Sequence, residues 1–392
     1  IGSDDVVVEA VGEEPLNEGG EFSRFLLRLS GYQEPVSLIG KRTNAVEALF
    51  YDVFAPSLHH FIPRCYFSHI GLDDGWLVLA DVSSDHKPET WSPHDIEILV
   101  GSLASLHAAY WAKRDLLDQY GLPSLLEESQ SWADSSSGET TGDPGAEQPQ
   151  SQMERIERWL QGQQRHLTEH AKRTAGPSLT PLLAQASGGL NRLRQYDGWP
   201  GIVDERHLAA LVDLLDDPMP VLYPLRQLPG TLLHGNPSVQ RWCLTLFDDY
   251  YLMDWQKAMI GPGVFDLVSF IDQLQLHPAG QPNKVDRIRS TTSEETVVDS
   301  YILAMRGELG TRFDARSTRL AVPAARCLLI LTHWLPKMGT WLRELPYDKE
   351  TWQAMSELPD EALMDAGLSE LITWRQSLAL VFDRFLRAYR LL

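Results

Sequence analysis

The sequence predicts an α+β fold with a small strand-rich N-terminal part, residues 1–82, and a larger, mostly helical part, residues 83–392. Three observations predict it. Short apolar runs separated by turn signals fill the stretch from Val6 to about Val82. Apolar residues at helical spacing dominate after Ser92. No repeat recurs at a fixed period, which excludes solenoids and propellers. At 392 residues, 43% hydrophobic and 22% charged, the chain has the composition of a folded, water-soluble protein large enough to bury a core.

Glu21 to Leu29 and Val36 to Lys41 read as strands around a Gly31-Tyr32 turn. Asn44 to Phe54 places Val46, Leu49, Phe50 and Val53 on one face of a helix that Pro56 stops. Trp76 to Asp81 is a further strand after Asp73-Asp74-Gly75. Ser92 caps a long helix that Pro93 opens and that runs through Trp111, with Ile96, Leu99, Leu103, Leu106 and Ala109 on its buried side. From Glu128 to Gln152, and above all from Ser135, apolar residues are too few to offset ordering entropy, so residues 128–152 are expected to form a mobile insertion. Helical patterns resume at Met153 to Lys172, Leu190 to Tyr196 and Asp204 to Leu215. Two strand-like runs, Trp242 to Phe247 and Tyr250 to Met253, flank an Asp248-Asp249 turn. Helices at Ser317 to Trp334, Lys349 to Glu357 and Leu371 to Leu391 complete the chain.

Charge narrows the function. Thirty-four basic against fifty-four acidic side chains give a net charge of −20, a sign that repels phosphate backbones and anionic lipid surfaces. Nucleic acid is not expected as a partner. The longest apolar stretches, such as Cys327 to Leu331, fall far short of the roughly 20 residues of a membrane span. Cys65, Cys243 and Cys327 are odd in number and show no CxxC spacing, which predicts free thiols, a reducing compartment and a cytoplasmic location. Ile1 to Asp5 carries no charged-then-apolar signal pattern.

The most informative stretch is Leu232-Leu-His-Gly-Asn-Pro-Ser-Val-Gln-Arg-Trp, followed by Leu252-Met-Asp-Trp-Gln-Lys-Ala-Met-Ile-Gly-Pro-Gly-Val-Phe-Asp-Leu. In these residues the chain resembles the aminoglycoside phosphotransferase and choline kinase superfamily, most of all its ecdysteroid-kinase-like branch. The resemblance extends to Ser37-Leu-Ile-Gly-Lys-Arg as a third strand with its lysine, Glu47 on the next helix, Trp76-Leu-Val-Leu-Ala-Asp as a hinge, and Leu103-Ala-Ser-Leu-His in the first helix of the large lobe. It implies a bilobal protein-kinase-like fold, with ATP, magnesium and a small-molecule acceptor meeting where the lobes join.

Phosphoryl transfer is mainly positioning and charge neutralisation. The resemblance therefore implies that Lys41, held by Glu47, reaches the phosphates, that the turn containing Gly19 and Gly20 covers them, and that Ala80 and Val82 line the nucleotide at the hinge. It implies that Asp254 holds magnesium and that Asp266 braces the catalytic loop. Two loop positions depart from the pattern: Asn236 stands where the family has its catalytic Asp, and Arg241 where it has a metal-binding Asn. An amide cannot take a proton from an attacking hydroxyl, so a general-base contribution of about 10² to 10⁴ in rate is missing. Arg241 cannot ligate magnesium but can grip a phosphate or carboxylate. Gln240 offers a carbonyl to a metal if the loop is shifted. A single inactivating change would have left the second position intact, so the pair favours a site remodelled as a whole.

Several of these residues also have plainer readings. Lys41 and Glu47 alone would be a surface ion pair. His234 is structural, as is the histidine of the family's loop, and His107 is a satisfied core histidine. Adjacent His59 and His60 point to different sides, so no zinc site is expected. Trp334, Trp341, Trp352 and Trp374 fall in the C-terminal helices, where helical-period aromatics are core more often than pocket. If they line a pocket, His333 and Trp334 would meet an apolar alcohol or natural product. Two functions follow: a small-molecule O-phosphotransferase using ATP and magnesium, or a kinase-derived protein that binds a small molecule or nucleotide, or catalyses a non-phosphoryl step such as one of secondary metabolism.

Overall fold

The computed structural model describes residues 7–17, 21–58, 60–71, 74–83, 85–126, 167–199, 201–245, 249–275, 292–344, 348–365 and 369–392. The expected insertion at 128–152, Gly19, Gly20 and His59 lie outside them. The chain forms two compact units, each assembled from three stretches of sequence: Ile1–Leu122, Leu232–Met259 and Gln281–Leu309 in one, Pro123–Thr231, Ile260–Gly280 and Gly310–Leu392 in the other.

The first unit contains an antiparallel sheet of five strands, β1 (Val8–Pro15), β2 (Phe22–Leu29), β3 (Val36–Thr43), β4 (Cys65–Ile70) and β5 (Gly75–Ala80), in the order β1-β2-β3-β5-β4. The α+β prediction is borne out: a strand-rich N-terminal stretch precedes a mostly helical chain. Sequence periodicity missed β1 and β4. Both are edge strands, and β1 is exposed along its whole length, so neither carries the clean alternation that one buried face imposes.

Between β3 and β4, helix α1 (Ala45–Leu49) continues through a π turn (Phe50–Phe54) and ends in a 3₁₀ turn at Ala55–Ser57, where Pro56 cannot extend it. Helix α2 (Pro93–Ala109) opens with a capping box in which Ser92 and Asp95 satisfy each other's backbone amides. Its Leu99, Val100, Leu103, Ala104 and Leu106 are fully buried, and Leu99→Ala would cost about 2–5 kcal/mol. Ala109, expected on that face, is exposed, because the helix ends there and Tyr110 takes the buried place. His107 is the core histidine expected, with Nδ1 2.8 Å from the Tyr301 hydroxyl on the helix Glu294–Leu309 that packs along α2.

The second unit is helical. Its longest helix, Glu169–Gln195, absorbs the separate segment expected at Leu190 to Tyr196; Gly176 breaks it at φ +78° and Pro177 restarts it. A β-carbon on Gly189 would lie 2.1 Å from the Leu335 carbonyl oxygen, so this helix approaches Leu335–Glu344 as closely as only glycine allows. The helix Ala315–Leu329 lies against Met219–Arg226, Val264–Gln275 and Ser369–Tyr389 and buries an Asp272–Arg326 ion pair. The tryptophans gather here. Trp341 and Trp374 stack with ring centres 4.4 Å apart, and Trp199 meets Trp341, Trp352 and Trp374 edge-on. Among the described residues no helix is long and apolar enough to cross a membrane.

Candidate functional site

The site lies within the first unit and begins on β3. Side chains alternate along a strand, so Lys41 and Thr43 share one face while Arg42 points to the other and pairs with Asp74. The Lys41 ammonium sits over the Phe22 ring, 5.3 Å from its centre, on the neighbouring strand. It donates to Glu47 Oε1 at 2.9 Å, lies 2.6 Å from Oε2, and donates to Asp254 Oδ1 at 3.0 Å. Lys41 is 4% exposed and Glu47 fully buried, so this is not the surface pair that composition alone would suggest.

Glu47 is placed by α1. Asn44 caps that helix, its side-chain oxygen accepting from the Glu47 amide, while its Nδ2 donates to the Gln256 carbonyl, 212 residues away in sequence. The Glu47 carboxylate also accepts from the Thr43 hydroxyl and from the Trp255 amide, the latter at 3.0 Å. Trp255 stacks on Phe50 at 3.7 Å between ring centres. Thr43, Asn44 and Trp255 were not anticipated. Only the two-residue step from Lys41 to Thr43 carried any signal.

Asp254 and the loop 234–241 form the outer side. Asp254 has φ +69°, a left-handed conformation uncommon for an aspartate, directly after the strand Tyr250–Leu252 and Met253. Its Oδ1 meets Lys41, and its Oδ2 lies 2.7 Å from Arg241 Nη1. Partial burial pushes the Asp254 carboxyl up, but the charges of Lys41 and Arg241 and the lysine hydrogen bond outweigh it and hold the group below its ordinary range. Arg241 closes a 3₁₀ turn, Val239–Arg241, and its side chain is 40% exposed.

His234 is fully buried. Its Nε2 lies 2.9 Å from the Met253 carbonyl and its Nδ1 accepts from the Asn236 amide at 3.2 Å, which fixes the proton on Nε2. The histidine thus ties the loop to the strand that delivers Asp254. Gly235 is at φ +79°, where a β-carbon would come within 2.1 Å of the Lys257 carbonyl oxygen. Asn236 is half-buried, and its backbone carbonyl accepts from the Ser238 amide. Gln240 is exposed.

Lys41, Glu47, Asp254 and Arg241 are therefore brought into one chain of contacts, with His234 and Asn236 on the adjoining loop. Ala80 ends β5, with its amide given to the Arg64 carbonyl, and Val82 follows it, half-buried. Asp266 is buried in the first turn of Val264–Gln275 in the second unit. His333 and Trp334 also belong to the second unit, in the π turn Ile330–Trp334, where Trp334 is buried.

The donor set does not fit the magnesium ion that the resemblance implies. Magnesium takes carboxylate oxygens at about 2.0–2.1 Å in near-octahedral array. Here both oxygens of Asp254 face cations, the loop adds an amide and an exposed Gln240, and Arg241 has no lone pair to give. Among the described residues no group of three or more His, Cys, Asp or Glu could hold a metal ion. Cys65 and Cys327 are no better placed as nucleophiles, since burial pushes Cys65 up to about 11 and Cys327 up to about 12.

No family model and no curated protein matches the sequence. Among solved structures, the chain is similar to a choline/ethanolamine kinase family protein from Mesorhizobium loti, at 15% identity over 97% of this chain and 92% of that one, with a TM-score of 0.37. It is also similar to an aminoglycoside phosphotransferase from Alicyclobacillus acidocaldarius, at 12% identity over 98% and 92%, TM-score 0.38. A macrolide 2′-phosphotransferase from Brachybacterium faecium matches at 12% identity over 88% and 96%, TM-score 0.39.

Proposed function

We propose that this chain is a kinase-derived member of the aminoglycoside phosphotransferase and choline kinase superfamily that binds a phosphate-bearing small molecule, a nucleotide foremost, and does not transfer phosphate. Asn236 carries this reading. At the loop position where the superfamily resemblance calls for a proton-accepting carboxylate, the chain presents a neutral amide. Arg241 supplies what an anion-binding site needs, a solvent-facing guanidinium, and Asp254 with the buried Lys41–Glu47 pair behind it holds that guanidinium in place. A cytoplasmic protein with free thiols is consistent with this role.

The test is turnover. The full chain, given ATP, magnesium and a panel of hydroxylated acceptors that includes apolar alcohols, is expected to form no ADP above background while still binding ATP in calorimetry. The paired reversion Asn236→Asp with Arg241→Asn is expected to form ADP at about 10² to 10⁴ times the background rate. Brisk phosphorylation by the unaltered protein would falsify the proposal. That result would favour the second reading, a working O-phosphotransferase, which draws its support from the retained Lys41–Glu47 pair beside Asp254.

A further inference from the structure

We infer, on the reading that this site takes up a phosphate-bearing molecule, that the guanidinium of Arg241 occupies the place a divalent cation would take on Asp254, so that binding needs no metal ion. Lys41 is already committed: it donates to Glu47 Oε1 and Asp254 Oδ1, and Glu47 Oε2 lies 2.6 Å from its nitrogen. The other carboxylate oxygen of Asp254 is engaged by Arg241 at 2.7 Å. A divalent ion on the same oxygen would stand within about 4 Å of the guanidinium, where two cations repel strongly.

Arg241 is the member of the cluster with capacity left. Only Nη1 is used on Asp254, the side chain is 40% exposed, and a guanidinium has five donors in a fork that matches phosphate oxygens. A partly exposed ion pair contributes little to stability, so the fold gains little from placing Arg241 there. The two cations and two carboxylates of the cluster sum to zero, as a magnesium-loaded carboxylate site approaches neutrality with its metal. The ligand class is a metal-free phosphate ester or anhydride, gripped by Arg241 with the Lys41–Asp254 pair behind it.

The experiment is calorimetric titration of the full chain with ATP, once in excess EDTA and once in excess magnesium. The expected dissociation constants agree within about threefold. Arg241→Asn is expected to weaken metal-free binding at least about tenfold, and Arg241→Lys, which keeps the charge but loses the fork, to weaken it by less. Circular dichroism of both variants checks that they fold, and the lysine variant alone suffices if the asparagine variant does not. Binding that requires magnesium overturns the inference and leaves the proposed function standing. Absence of ATP binding in both buffers overturns both. Metal-free binding that Arg241→Lys leaves unchanged overturns the role given to the guanidinium.

Discussion

Glu47 accepts at once from an ammonium, a hydroxyl and a backbone amide, and it is fully buried. Replacing it by glutamine leaves the Lys41 ammonium short of countercharge in a place water does not reach. Removing one partner of a buried pair costs about 3–5 kcal/mol, so Glu47→Gln is expected to lower the urea midpoint by a corresponding amount. A loss under about 1 kcal/mol would show that the pair is solvated. Tyr51, one turn further along, makes the opposite case. Its ring is buried and its hydroxyl has no hydrogen-bond partner among the described residues, while burial and then the nearby Glu47 charge push the phenol well above its ordinary range. An unpaired buried hydroxyl costs about 1–3 kcal/mol. Tyr51→Phe is therefore expected to stabilise the protein by about 1 kcal/mol in thermal melts, and a lower midpoint would reveal a bound water.

At the scale of elements, caps do much of the placing. Asn44 both starts α1 and holds the segment after Asp254, so Asn44→Ala removes a helix cap and a long-range tie together. A cap alone is worth about 0.5–2 kcal/mol; denaturant unfolding is expected to show a loss at the upper end of that range, and a smaller one would mean that the tie to Gln256 contributes nothing. Three helices of the second unit begin at aspartates: Asp204, Asp314 and Asp348 cap Glu205–Asp216, Ala315–Leu329 and Lys349–Glu357. Partial burial pushes Asp204 up, but hydrogen bonds from Arg206 and His207 bring it down to about 2. Ser317 and its amide lower Asp314, and the Thr351 amide lowers Asp348. A carboxyl depressed in the folded state stabilises it above the unfolded value of about 3.9 and loses that stabilisation as pH falls toward the folded value. Helix content followed by circular dichroism in fixed urea is thus expected to hold from pH 7 to about 5 and to decline between about pH 4 and 2. A flat profile there would show that the caps are not ionised.

For the whole molecule the governing quantity is the net charge of −20. Like charges at that density repel one another in the compact state. Raising ionic strength from about 0.01 M to about 0.15 M shortens the screening length from about 30 Å to about 8 Å. The thermal midpoint is expected to rise over that range. A fall would mean that surface pairs such as Arg206–Asp204 and Lys172–Glu169 outweigh the general repulsion. The order of the chain matters at this scale too, because Lys41 and Asp254 meet across 213 residues and each unit is assembled from three separate stretches.

What the sequence determined by itself was local. Periodicity located β2, β3, β5, α1 and α2, because one buried face imposes a period that residues declare, and the loop His234-Gly235-Asn236 with Asp254 was singled out as a candidate site by its resemblance to a known superfamily. Edge strands were hidden because exposure on both faces erases the period, and the helix Glu169–Gln195 was divided between the segments expected to end at Lys172 and to start at Leu190, because Gly176, Pro177 and Pro181 interrupt its helical pattern between them. Tertiary structure alone decided that Arg241 pairs with Asp254, that Thr43 and the Trp255 amide complete the shell of Glu47, and that Lys41 is shared between Glu47 and Asp254. The reason is that hydrogen-bond capacity is finite and directional: which acceptor a cation takes depends on which carboxylates folding brings within about 3 Å, a distance that no spacing along the chain encodes.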